Sequence, residues 1–215
     1  MTVAESPGQH AQVAVLLGTD HHPYDRLVEW AATLAAEDGQ RWFVQHGFTR
    51  WPDVASADLP ANLTGTRMLG VRELDDLLAH ADVVITHGGP SLIQEARTSR
   101  HVPIVAPRDP ALGEHVDGHQ IDFTARLAAD GTIRLVRSLD DLRLAVAATR
   151  HEGRPTTADA VTPDETVERF ATLVEGALSA PRVGLLARLA LAGRRVSPPP
   201  AGRPARRPGP EPPRQ

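Results

Sequence analysis

The sequence predicts an α/β protein, a Rossmann-like parallel sheet with helices on both faces. Three observations predict it. Short apolar runs recur that do not alternate with polar residues, as in strands buried on both faces. Between them lie segments with apolar residues at helical spacing. Glycine or proline closes nearly every run, and strand and helix alternate about six times, which forces crossover connections and a parallel sheet.

Val13 to Leu17 is the first strand, stopping at Gly18-Thr19. Pro23 to Asp38 is helical, with Leu27, Val28, Ala31, Leu34 and Ala35 on one side, Pro23 suited to the first turn and Gly39 to the stop. Arg41 to His46 is a second strand and Thr66 to Leu69 a weaker third. Val71 to His80 is a short helix. Asp82 to Thr86 is a strong strand halted by His87-Gly88-Gly89, and Ser91 to Ser99 is the helix after it. Val102 to Ala106 is a strand ended by Pro107. Val116 to Ala129 is a helix, Ile133 to Val136 a strand, and Ser138 caps a helix running to about Thr149.

After Arg150 the character changes, which divides the chain into four parts. Residues 1–12 form a polar N-terminus and 13–150 the α/β domain. Residues 151–193 form a helical extension, with an apolar face at Val167, Phe170, Leu173 and Val174. Residues 194–215 hold eight Pro, six Arg and one Glu, a solvated tail with a local charge of +5.

Composition excludes several chemistries. The chain has 215 residues, 41 % of them hydrophobic, enough for a buried core. It has no cysteine, so no disulfide, thiolate metal site or cysteine nucleophile. All 23 basic residues are Arg, so neither a P-loop lysine nor a Schiff-base lysine exists. A net charge of −4 and 4 % aromatic residues argue against a nucleic-acid partner. No apolar stretch reaches the ~18 residues of a membrane span and the N-terminus has no signal-like pattern, so the folded part is expected to be soluble and cytoplasmic.

In an open parallel sheet, ligands bind beyond the carboxyl ends of the strands. Three loops lie there: Gly18-Thr19-Asp20, His87 to Ser91, and Pro107 to Gln120. Gly88-Gly89 between a buried strand and a helix lets backbone N–H groups approach a phosphate, or is an ordinary tight turn. Glu95, about a turn and a half into that helix, can accept ribose hydroxyls or lie in solvent. His21-His22 follow the first strand and are candidates for proton transfer or phosphate contact. His115 and His119 have zinc-helix spacing, but Gly118 interrupts them and the sequence offers no clear third ligand, so no metal site is expected.

These residues fall into a known pattern. The run from Ala81 to Ala96, ADVVITHGGPSLIQEA, resembles the ADxVIsHgGxgtixEa signature of family 28 glycosyltransferases. Pro103 to Pro107 with Gly113 to Gln120 resembles the family's second signature, where a P-x-x-x-x-H/D-Q block meets the donor sugar. Leu17-Gly18-Thr19 followed by Pro23 to Leu27 resembles the first loop of the family's small subunits. The resemblance runs from about Val13 to Arg150.

It implies the GT-B fold, two Rossmann-like halves facing a cleft, of which this chain resembles the C-terminal, donor-binding half. It implies a metal-independent hexosyltransferase subunit with no cofactor, taking a UDP-sugar as substrate. Its partner would be a separate, membrane-anchored acceptor-binding subunit. Such pairs serve exopolysaccharide synthesis in bacteria and lipid-linked oligosaccharide synthesis in eukaryotes. By position, Gly88, Gly89 and Ser91 would cradle the diphosphate, Gly18 and Thr19 would line the cleft, and Glu95 would hold the ribose. Gln120 with His119 would contact the hexose, and His87 would shape the glycine loop. His21 or His22 could serve as catalytic base. Pro90 stands where relatives often have Ala or Gly, which removes one N–H donor. The alternative is a non-catalytic nucleotide-sugar-binding regulatory module. The Arg-punctuated segment Val183 to Arg195 could rest peripherally on an anionic membrane or pack against a partner.

Overall fold

The structure is a computed structural model that describes residues 11–52 and 59–155. The described residues form six strands and five α-helices in the order β1 (Val13–Leu16), α1 (Asp25–Asp38), β2 (Trp42–Gln45), β3 (Leu63–Thr66), α2 (Val71–His80), β4 (Val83–Thr86), α3 (Pro90–Thr98), β5 (Ile104–Val105), α4 (His119–Ala129), β6 (Arg134–Leu135) and α5 (Leu139–Glu152). A 3₁₀ turn, Pro110–Leu112, lies between β5 and α4. Every strand pairing is parallel, in the order β3-β2-β1-β4-β5-β6. The predicted doubly covered parallel sheet is therefore present.

The non-alternating apolar runs are explained by burial on both faces. Val13 and Val15 join Leu27, Ala31, Leu142 and Val146 in one core, under α1 and α5. Ala14 and Leu16 join Leu77, Leu78 and Ala96 in a second, under α2 and α3. Val105 packs with Ile93, Phe123 and Leu127 beneath α3 and α4.

Several boundaries differ from the sequence expectation. The first helix begins at Asp25, not Pro23, because buried Tyr24 occupies the N-cap position. Its backbone N–H donates to Thr49 Oγ1 (3.1 Å) and its phenol donates to the Ala106 carbonyl (2.7 Å). Gly39 ends the helix in the left-handed conformation, as expected. The third strand is Leu63–Thr66, three residues earlier than predicted. The fourth helix begins at His119 rather than Val116, after Gly118. Ser138 caps α5 by accepting the Asp141 N–H (3.1 Å), and the helix runs on to Glu152. Most of the predicted helical extension 151–193, the Arg-punctuated segment Val183 to Arg195 and the tail lie outside the described residues.

The chain adds β2 and β3 on one side of β1, then returns to place β4 on the other. This reversal is the topological switch point, and the loops leaving β1 and β4 diverge there to open a crevice.

Candidate functional site

A cleft of about 480 Å³ opens at this switch point. Its floor and walls come from Gly18, Thr19 and Asp20 after β1, His87 and Gly89 after β4, and Ser91 and Glu95 on α3. Met68, Leu69 and Leu74 supply an apolar wall from the segment leading into α2.

The glycines are required by close approach. The buried His87 ring sits between two backbones: a Cβ on Gly18 would lie 2.6 Å from its Cε1, and one on Gly89 2.2 Å from its Nε2. Gly18 also has φ +74°, a conformation that other residues adopt at a cost. Gly88 does not line the cleft. It lies beneath the loop, where an added Cβ would meet Gln120 Cβ at 2.8 Å and Thr124 Cγ2 at 3.1 Å. Gly88 thus sets how closely α4 packs against the loop.

Gln45, the last residue of β2, fastens the β1 loop. Its Oε1 accepts the Gly18 N–H (3.0 Å), and its Nε2 donates to the carbonyls of Gly18 (3.0 Å) and Arg67 (3.1 Å). Gly18 therefore permits approach but has no spare N–H to offer a ligand. The free donors lie at the start of α3. No side chain caps that helix, and Gly89, Pro90, Ser91 and Leu92 all border the cleft. Pro90 is in the first turn, where the missing N–H interrupts no helical bond. An open helix N-terminus of this kind carries unpaired N–H groups and partial positive charge, which favours an anion.

The electrostatics follow from burial. His87 is pushed down to about 4, by burial first and by the Arg108 charge second, so it is a neutral imidazole. Its Nδ1 is buried without a hydrogen-bond partner. The Glu95 carboxyl is raised above its ordinary value by partial burial and by Asp75. Asp20 is held at about 2: burial pushes it up, but hydrogen bonds from the His22 N–H and imidazole, with Arg108, outweigh that.

Arg108 anchors the third loop. It is almost fully buried and donates to the carbonyls of His22 (2.7 Å), Glu114 (3.1 Å) and Leu17 (2.9 Å). Its guanidinium lies 4.8 Å from the centre of the Tyr24 ring. Beside it Glu114 receives a two-point salt bridge from Arg26 (2.8 and 2.7 Å) and the Asp109 N–H (2.8 Å). These contacts join the loops after β1 and β5 into one support.

Of the residues expected from the sequence, Gly18, Thr19, His87, Gly89, Ser91 and Glu95 line one cleft. Gln120 does not line it. It is buried, and its Oε1 accepts the Arg108 N–H (3.3 Å). His21, His22 and His119 are also outside the cleft lining, in a row of imidazoles with His115. Gln45 and Arg108 were not among the residues expected from the sequence, and Glu114 entered only within the block Gly113 to Gln120. Only Gln45 carried a signal, a polar residue closing an apolar strand.

The comparisons agree with this architecture. Residues 17–160 match the glycosyltransferase family 28 C-terminal domain. The crystal structure of CalG4, the calicheamicin glycosyltransferase, is similar over 90 % of this chain at 18 % identity and a TM-score of 0.50. This chain spans only 45 % of that one. The solution structure of ALG13 is similar over 79 % of this chain and 98 % of its own length, at 16 % identity and a TM-score of 0.50. No curated protein matches the sequence. Both structural likenesses speak to the fold, while the family match covers all three strand-end loops, from Leu17 through Gln120. The chain belongs to glycosyltransferase family 28, as a form of its C-terminal domain.

Proposed function

We propose that this chain is the donor-binding, catalytic subunit of a two-component hexosyltransferase. It would bind a UDP-sugar and transfer the hexose to an acceptor, a lipid-linked glycan in polysaccharide synthesis, held by a separate membrane-anchored subunit. The observation that carries this reading is the uncapped N-terminus of α3 opening into a 480 Å³ cleft at the switch point of the sheet.

In this reading the diphosphate rests against the Ser91 and Leu92 N–H groups and the hydroxyls of Thr19 and Ser91. Cleavage of the sugar–phosphate bond leaves negative charge on the UDP, and the helix N-terminus stabilises it without a metal or other cofactor. Glu95 accepts the ribose hydroxyls. Neutral His87 holds the Gly18 and Gly89 backbones apart and offers a ring nitrogen without adding charge. Gln120 supports the glycine loop through Gly88 and Arg108, rather than meeting the hexose directly. His22, its Nδ1 bonded to Asp20 Oδ1 at 2.6 Å, is a candidate base for the acceptor hydroxyl, with His21 beside it.

Calorimetric titration with UDP, GDP and a series of UDP-sugars tests the donor site. Saturable UDP binding is expected, weakened about tenfold or more in Glu95→Ala, in line with a lost charged hydrogen bond. Binding with no sugar transfer by the co-expressed pair would favour the regulatory module. Absence of binding by both the chain and the pair would end the glycosyltransferase reading.

A further inference from the structure

Four histidines and two aspartates form one continuous cluster, of which only Asp20 borders the cleft. The rings of His21 and His22 are 4.1 Å apart between centres, His22 and His115 5.8 Å, and His115 and His119 4.7 Å. Two sets of three ligand atoms each lie within 4.8 Å of one another: Asp20, His21 and His22, and His115, Asp117 and His119. The sequence pair His115 and His119 thus has a third ligand that helical spacing could not reveal, because the helix begins only at His119.

We propose that His115, Asp117 and His119 hold a divalent metal ion of the zinc class, with Asp20 orienting His115 from behind. Two neighbours set the tautomer assigned to His115. The Asp117 N–H approaches its Nδ1 (3.4 Å), so that nitrogen is the unprotonated one, and an ion bound there would displace this long contact. Its Nε2 faces Asp20 Oδ2 at 3.5 Å, so the ring proton lies toward a carboxylate. A carboxylate behind a ligating imidazole is the usual second partner of such a ligand. Ligand atoms of His115, Asp117 and His119 all lie within 4.8 Å of one another. Asp117 Oδ1 is 3.6 Å from His115 Nδ1, a separation that bonds of about 2.0–2.2 Å to one ion can span. His119 Nδ1 now contacts Asp117 Oδ1 directly. Both side chains are more than half exposed, so they can part to admit an ion, the His119 proton moving to Nε2.

Charge favours the same set. Two carboxylates balance a dication, and neutral imidazole with carboxylate oxygen suits zinc. Three protein ligands leave a fourth position to water. Since Asp20 also borders the cleft, an ion here would fix the loop before α4 against the loop after β1. This site is independent of the donor reading, since none of its three ligands lines the cleft.

The test uses the full chain, free of affinity tags and treated with chelator, titrated with Zn²⁺ by calorimetry and with Co²⁺ by visible absorption. One equivalent is expected to bind, with Co²⁺ giving ligand-field bands that Zn²⁺ displaces. His119→Ala, at an exposed position, is expected to abolish the bands and weaken Zn²⁺ binding about a hundredfold, and His115→Gln likewise. Asp20→Asn is expected to weaken binding about tenfold, and His21→Ala to leave it unchanged. Circular dichroism of each variant separates lost ligands from lost fold. No saturable binding by the wild-type chain, or binding that survives His119→Ala, would overturn the site. Binding lost in His21→Ala but kept in His115→Gln would move the ion to the neighbouring triad and overturn the assignment.

Discussion

His87 couples the site to stability because its burial forbids charge. Its pKa falls from 6.5 to about 4 on folding, through burial first and Arg108 second. Between those values the unfolded chain takes up the proton and the folded chain does not, so stability is full above pH 6.5 and drains away toward pH 4. The loss amounts to about 3 kcal/mol. Urea unfolding at pH 7.5 and 5 checks it: the wild type should lose stability more steeply than His87→Gln, and equal slopes would contradict a buried neutral ring. Glu95 behaves oppositely, its carboxyl raised by partial burial and Asp75. Its ionised form accepts ribose hydroxyls, so UDP affinity should decline on acidification sooner than an ordinary glutamate would allow. Glu95→Gln should bind weakly and without that decline. That Gly89, Ser91 and Glu95 lie at the cleft was legible because a strand, a Gly-Gly turn and a helix follow one another there, whereas Gly88 turns away beneath the loop. Arg108 was not, because its partners are backbone carbonyls as far away in sequence as Leu17, and a carbonyl leaves no mark on residue identity.

Among the elements, β1, β2, β4 and α2 were read to within a residue or two, because each buries an uninterrupted apolar run or stripe. β3 was not. Of its four residues only Leu63 is buried, and Gly65 is there because a Cβ would lie 2.6 Å from the Trp51 ring. Its place is set by backbone pairing with Trp42–Gln45, which no side-chain pattern announces. The start of α4 was obscured similarly: Asp117 Oδ1 accepts the His119 N–H (3.2 Å), a local turn that replaces the first helical turn expected from Val116. The seam between the β4 loop and α4 is where a small change should tell most. Gly88→Ala puts a methyl 2.8 Å from Gln120 Cβ and 3.1 Å from Thr124 Cγ2. Overpacking of this kind should cost about 1–3 kcal/mol in urea unfolding and weaken UDP binding as the loop shifts. Ser91→Ala, at an exposed position, should weaken binding with the unfolding midpoint unchanged. If both variants changed stability alike, the loop would be a structural turn and not a ligand cradle.

At the scale of the whole molecule, the described residues hold one six-stranded sheet and three apolar cores. The cores lie between Ala11 and Val146, and every strand of the sheet is paired. The later residues carry a different load. Residues 194–215 hold six Arg against one Glu, while the remainder of the chain is strongly acidic. Among the described residues no helix is long and apolar enough to cross a membrane. The segment expected to rest on an anionic membrane, Val183 to Arg195, carries Arg188, Arg194 and Arg195 and runs into this tail, and a basic segment attracted to anionic lipid gains about 1 kcal/mol per residue near the surface. Such a contact would bring the donor site to a lipid-linked acceptor without a membrane span. Ending the chain after residue 160, where the family match also ends, separates the two loads. The shortened chain should unfold at the same urea midpoint and bind UDP as tightly as the full chain. In sedimentation with vesicles, the full chain should pellet with anionic lipid, stay in solution with neutral lipid, and be released by salt, which screens charge over about 8 Å at physiological strength. The shortened chain should stay in solution throughout. Equal recovery of both chains from anionic vesicles would rule out residues 161–215, Val183 to Arg195 included, as the contact, and a lower unfolding midpoint would show that the later residues add to the stability of the fold.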